Sequence, residues 1–149
     1  MFFTQNRLFE ECKQIFGDSD RTPSMADMAQ MKYLDAVVKE TLRLYPSVPF
    51  IARTITENFT MGDLKIKKDT EVAVHIYDLH HRPELFPNPE AFKPERFLTG
   101  ETRHPYAYVP FSAGARNCIA QRARPVAVNP LLNPAHSAVA LRAGFIHKI

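Results

Sequence analysis

The sequence predicts an α+β fold, predominantly helical, with helices beside a small antiparallel sheet. Three observations carry that expectation. Apolar residues recur at helical spacing over residues 2–16 and again over about 29–45. Short runs of strand-like composition follow between residues 50 and 76, with Gly62-Asp63 as a turn between two of them. A proline-punctuated stretch over residues 77–98 shows neither period and reads as coil.

At 149 residues the chain is long enough for one domain with a core. A hydrophobic share of 45% against 23% charged places it among globular rather than disordered sequences. The net charge of +3 is spread along the chain, so no nucleic-acid partner is expected. No apolar run approaches the roughly 18 residues of a membrane span, and the start lacks a signal-peptide pattern. The chain as written is therefore not expected to insert into a membrane. Cys12 and Cys118 lack metal or redox spacing, and fit reduced thiols better than a disulfide framework.

Taken in order, Phe3, Leu8, Phe9, Cys12 and Ile15 define the first helix, which Gly17-Asp18-Ser19-Asp20 ends. Ser24, after Pro23, is a cap for a short turn with Met25 and Met28. The second strong helix runs about 29–45 and stops before Pro46. Lys32, Asp35 and Lys39 share its solvent face. Met31, Leu34, Val38, Leu42 and Tyr45 form one apolar flank; Tyr33, Val37 and Leu44 form the other. Glu40 falls among the apolar positions, so it should be buried, with Arg43 one turn on as its partner. A buried carboxylate asks for a further basic partner. An ordinary surface pair worth a few tenths of a kcal/mol is the alternative.

Phe50–Ile55, Phe59–Met61, Leu64–Ile66 and Glu71–Ile76 are the strands. In the coil that follows, Phe86, Phe92 and Phe97 are candidate apolar pegs and Arg96 a charged one. His75, His80, His81 and His104 invite a metal site, but no acidic or cysteine ligand shares a suitable spacing with them. Phe111-Ser112-Ala113-Gly114-Ala115-Arg116-Asn117-Cys118 then ends a small-residue loop on a cysteine, before a helix start at Ile119. Helix-terminal amides and Arg116 would favour the thiolate there, and a thiolate is a good axial ligand for haem iron. A turn with a structural cysteine is the plainer alternative.

Together these segments resemble the C-terminal part of a cytochrome P450. Glu40-Thr41-Leu42-Arg43 matches the family's E-x-x-R helix, and Pro94-Glu95-Arg96-Phe97 its P-E-R-F segment within the meander coil. Phe111 to Cys118 matches the cysteine-ligand loop, and Met31 to Pro49 is most similar to the fatty-acid and insect-type microsomal branch. The resemblance covers about residues 5–123, so residues 1–123 read as a partial domain and 124–149 as a divergent proline-containing tail.

The resemblance implies haem b with Cys118 as thiolate ligand to the iron, and Arg116 and Arg53 as propionate contacts. It implies Phe111 packed beside the sulfur, and a structural triad of Glu40, Arg43 and Arg96. It further implies a haem-thiolate monooxygenase inserting one oxygen atom into a fatty acid or other lipophilic substrate. Electrons would come from an NADPH-dependent reductase docking near Arg122 and Arg124, at the cytoplasmic face of the endoplasmic reticulum membrane. Two departures stand out: Ala120 replaces the family's usual glycine, and three prolines after Arg124 preclude its long helix. The acid–alcohol pair that activates oxygen in the family has no match here, so no catalytic acid can be named. The alternative is therefore a non-catalytic fragment, haem-binding at most.

Overall fold

The computed structural model describes residues 2–19, 21–100 and 103–119, and in them the chain forms four α-helices and four strands. Two units divide these residues. The first holds those up to Lys39, those from Lys93 to Gly100, and Cys118 with Ile119; the second holds Glu40–Phe92 and residues 103–117.

In the first unit, α1 (Phe2–Phe16) buries Leu8 and Phe16. Its other apolar positions are not all used: Phe3 and Phe9 are 69% and 55% exposed. Phe16 packs with Met31, and Cys12, Ile15, Met28 and Leu34 close around them. Burial, reinforced by the neighbouring Glu11 charge, pushes the Cys12 thiol up, so it stays protonated. Gly17, at φ +58°, ends the helix with its N–H on the Lys13 carbonyl (2.9 Å).

Helix α2 (Met25–Gln30) starts at Ser24, as its sequence predicts. The Ser24 hydroxyl accepts the Asp27 amide, and the Asp27 carboxylate accepts the Ser24 amide at 2.8 Å, a reciprocal capping box. Arg21 grips the same carboxylate with two hydrogen bonds of 2.5 and 2.7 Å. That guanidinium, with Ser24, holds the Asp27 carboxyl well below the usual carboxylate range.

One continuous helix over 29–45 is not what forms. Met31, at φ −79° and ψ 69°, separates α2 from α3 (Lys32–Leu44). The break is stable because the freed amides at the start of α3 have a partner. Glu11 of α1 accepts the Tyr33 N–H at 2.7 Å and the Leu34 N–H at 2.9 Å. Near Tyr33 a 3₁₀ turn, Pro94–Phe97, is tied to α1 through Glu95, which accepts from Arg7 at 2.8 Å. Arg7 also lies 4.2 Å from the Tyr33 ring centroid, a cation–π contact.

In the second unit, β1 (Phe50–Thr54) pairs antiparallel with β4 (Glu71–His75), Ala52 opposite Ala73. Strands β2 (Phe59–Met61) and β3 (Leu64–Ile66) pair only with each other. Instead of one sheet there are thus two two-stranded sheets. The β1–β4 ladder is closed off by bonds between Ile55 and both Thr70 and Asp69, which leaves β2–β3 as a separate hairpin in the connection. Gly62 opens the two-residue turn of that hairpin at φ +58°, where a side chain is disfavoured.

The 77–98 stretch is also more ordered than its composition predicts. Helix α4 (Ile76–His80) continues directly from β4, and Tyr77 donates to the Pro49 carbonyl at 3.1 Å. Phe86 is the fully buried peg, Phe97 is half-buried, and Phe92 is exposed. Among the described residues no helix is long and apolar enough to cross a membrane. The expected helix start after Ile119, Ala120, Arg122, Arg124 and the tail over 124–149 lie outside the described residues.

Glu11 reaches α3 across a long stretch of chain, so its removal should cost more than an exposed substitution. Glu11→Ala is expected to lower stability by about 1–2 kcal/mol and Glu11→Gln by less. The check is a fall in the urea midpoint with an unchanged slope.

Candidate functional site

The buried ion pair on α3 has the most demanding geometry in the second unit. Glu40 and Arg43 are both fully excluded from solvent. The i, i+3 spacing lets Arg43 meet the carboxylate as a fork, Nε to Oε2 at 2.9 Å and Nη2 to Oε1 at 3.0 Å. The remaining donors turn to backbone carbonyls of the coil. Nη1 donates to His80 O at 2.9 Å, and Nη2 to Pro89 O at 2.7 Å and Ala91 O at 3.3 Å. Arg43 also lies 5.4 Å from the Phe86 ring centroid, as does Arg103. One side chain of a helix thus adds long-range anchors to a coil whose own hydrogen bonds are local turns. Arg96 is buried as well, in the 3₁₀ turn of the first unit.

Downstream, Ala107 donates to His104 O at 2.9 Å and Ser112 to Val109 O at 3.1 Å, turning the chain toward the cysteine. Ser112 and Gly114 take left-handed conformations at φ +64° and +83°. Asn117 closes a turn onto Gly114 O at 3.2 Å. Phe111 is half-buried, whereas residues 113–119 are exposed, including Arg116 and the Cys118 thiol. Neither Arg116 nor Cys118 has a partner among the described residues. Arg53, on β1, is exposed and donates to Ala52 O at 2.8 Å. Phe111, Arg53 and Arg116 belong to the second unit and Cys118 to the first. An exposed thiol is a soft metal ligand, and exposed guanidiniums suit carboxylates.

The histidines have separate local roles. His75 pairs with Asp78 at 2.6 Å, and His81 stacks on Tyr77 with centroids 4.0 Å apart. His104 accepts the Tyr106 amide at 3.2 Å. Among the described residues no three potential ligands come together to hold a metal ion. His80 was open only to a metal reading in the sequence, yet it is fully buried against Phe86 and Tyr108. Its position at the end of a five-residue helix leaves no periodic signal that would have found it.

Comparison with known proteins bears on what this geometry serves. The family model "Cytochrome P450" matches residues 4–122. The protein named cytochrome P450 4V2 of Mus musculus is 49% identical over 120 residues, covering 79% of this chain and 23% of that protein. Cytochrome P450 4c21 of Blattella germanica is 47% identical over the same share of this chain and 24% of its own length. Probable cytochrome P450 4ac1 of Drosophila melanogaster is likewise 47% identical. The chain spans about a quarter of the length of the curated relatives it matches.

Breaking the buried pair leaves a desolvated charge behind. Glu40→Ala or Arg43→Ala is expected to cost about 3–5 kcal/mol, enough to unfold a marginal unit. Arg43→Lys should also destabilise, since an ammonium cannot reproduce the planar fork. Circular dichroism in urea, comparing midpoints with the unsubstituted chain, measures all three.

Proposed function

The chain belongs to the cytochrome P450 family, and on that premise we propose that it carries the cysteine-ligand part of a haem-thiolate monooxygenase. The observation that supports this most directly is the exposed thiol of Cys118, unpartnered among the described residues, at the end of the left-handed loop. The donor set suits the group: a soft sulfur for iron, guanidiniums for propionates and an aromatic ring for the macrocycle. When bound, haem b supplies the dioxygen chemistry, its thiolate ligand favouring O–O cleavage.

Each residue then has a role of its own. Cys118 would hold the iron through its deprotonated Sγ. Arg116 and Arg53 would each hold a propionate, and Phe111 would pack beside the sulfur to shield it once the group is bound. Glu40 and Arg43 keep the coil in place, with Arg96 as the second basic partner of Glu40 in a structural triad. For the longer enzyme the substrate is a fatty acid or other lipophilic molecule. Its electrons come from an NADPH-dependent reductase docking near Arg122 and Arg124, at the cytoplasmic face of the endoplasmic reticulum.

A second reading is favoured for the 149 residues by themselves: a non-catalytic fragment, haem-binding at most. Phe3, Phe9, Phe50 and Val74 are exposed on its surface, and no residue matches the acid–alcohol pair.

Adding haemin, reducing it and exposing it to carbon monoxide tests the ligand. The 149-residue chain is expected to give the red-shifted band of thiolate-ligated iron, and Cys118→Ser to lose it; a wild type without the band sinks the proposal. Arg53→Ala and Arg116→Ala should each weaken haem binding about tenfold, the loss of one charge-assisted hydrogen bond. With reductase and a fatty acid, no turnover is expected from these residues alone.

A further inference from the structure

His80 is the buried titratable side chain to which none of the roles above applies. Its ring Nε2 lies 3.0 Å from the Val109 amide, and an N–H can only donate. Nε2 therefore carries the lone pair and Nδ1 the proton, yet Nδ1 is buried with no hydrogen-bond partner among the described residues. The ring stacks on Tyr108, centroids 5.2 Å apart, and its own carbonyl accepts from Arg43 at 2.9 Å. One residue thus touches both the coil that Arg43 holds and the segment that leads on to the cysteine loop.

We propose that His80 is a positioning residue whose neutral imidazole, by accepting the Val109 amide, fastens the 107–112 segment to the coil held by Arg43. Its hydrogen bonding supports this without any ligand; only the bearing on Cys118 rests on the haem reading above.

The contact is specific to the neutral ring. A proton on Nε2 would face the Val109 N–H donor to donor, and the bond would be lost. The surrounding groups on balance disfavour that proton. Burial is the largest influence and, with the charges of Arg43 and His81, outweighs the Leu42 and Arg43 carbonyls, lowering the pKa to about 4. Glu40 is engaged by Arg43, and Arg103, over the Phe86 ring, is itself a cation and cannot compensate a second positive charge. The native pKa lies below the ordinary 6.5, so the stability tied to the neutral ring is full above pH 6.5 and is lost as pH falls toward 4.

Hydrogen exchange on the haem-free 149-residue chain tests this, so failure to load haem does not enter the result. The quantity is the protection of the Val109 amide, corrected for intrinsic exchange and divided by that of the Tyr77 amide, which bonds Pro49. In the wild type this ratio should fall below pH 6.5, by up to about tenfold per pH unit, and level near pH 4. His80→Gln keeps an acceptor that does not titrate, and should hold the ratio flat over the same range. His80→Leu should lose Val109 protection at every pH. A pH-independent ratio in the wild type, an unprotected Val109 at pH 7, or a His80→Leu profile equal to wild type would each overturn the proposal. The wild-type profile decides even if a variant does not fold.

Discussion

A guanidinium buried on a helix face is the constraint that the second unit obeys. Arg43 brings a full charge out of water, and such a charge is tolerated only when a counter-charge and acceptors meet its donors. Glu40 supplies the counter-charge from one turn away, and three carbonyls of the coil supply the rest. The coil's own hydrogen bonds are local turns, and the bonds from Arg43 tie those turns to α3. Phe86, buried beneath the same guanidinium, fills the apolar space that the polar fork leaves.

From that anchor the order passes along the chain to the loop of interest. His80 presents its carbonyl to Arg43 and its ring to Val109, so a single residue relays position from α3 into the segment before Phe111. Beyond Ser112 the character changes: residues 113–119 are exposed, with a turn closed by Asn117 onto Gly114. The two cysteines illustrate the contrast, for Cys12 sits against the Phe16–Met31 core while Cys118 faces solvent.

Much of this was legible from residues alone, and the exceptions share a cause. Helix α1, the Ser24 cap and the burial of Glu40 beside Arg43 depend on neighbours within a turn or two, which periodicity and capping rules describe. The break at Met31 depends on Glu11, a partner that local patterns cannot see. Phe92 and Tyr45 look apolar enough for a core, yet both are exposed, because which peg is used depends on what stands opposite. His80 is the clearest case, since its importance lies in a bond to an amide distant in sequence. For Cys118, Arg116 and Arg53, motif likeness rather than geometry remains the guide to role.

The carbonyls that Arg43 recruits lie 37 to 48 residues further along the chain. Closing such a loop is entropically unfavourable until the last contact forms, so the coil and the end of α3 should order together and late. Moreover, Arg43 reads backbone oxygens, which every residue possesses. The side chains of the coil can therefore drift freely wherever they do not pack, while the helix residue that grips them has no substitute.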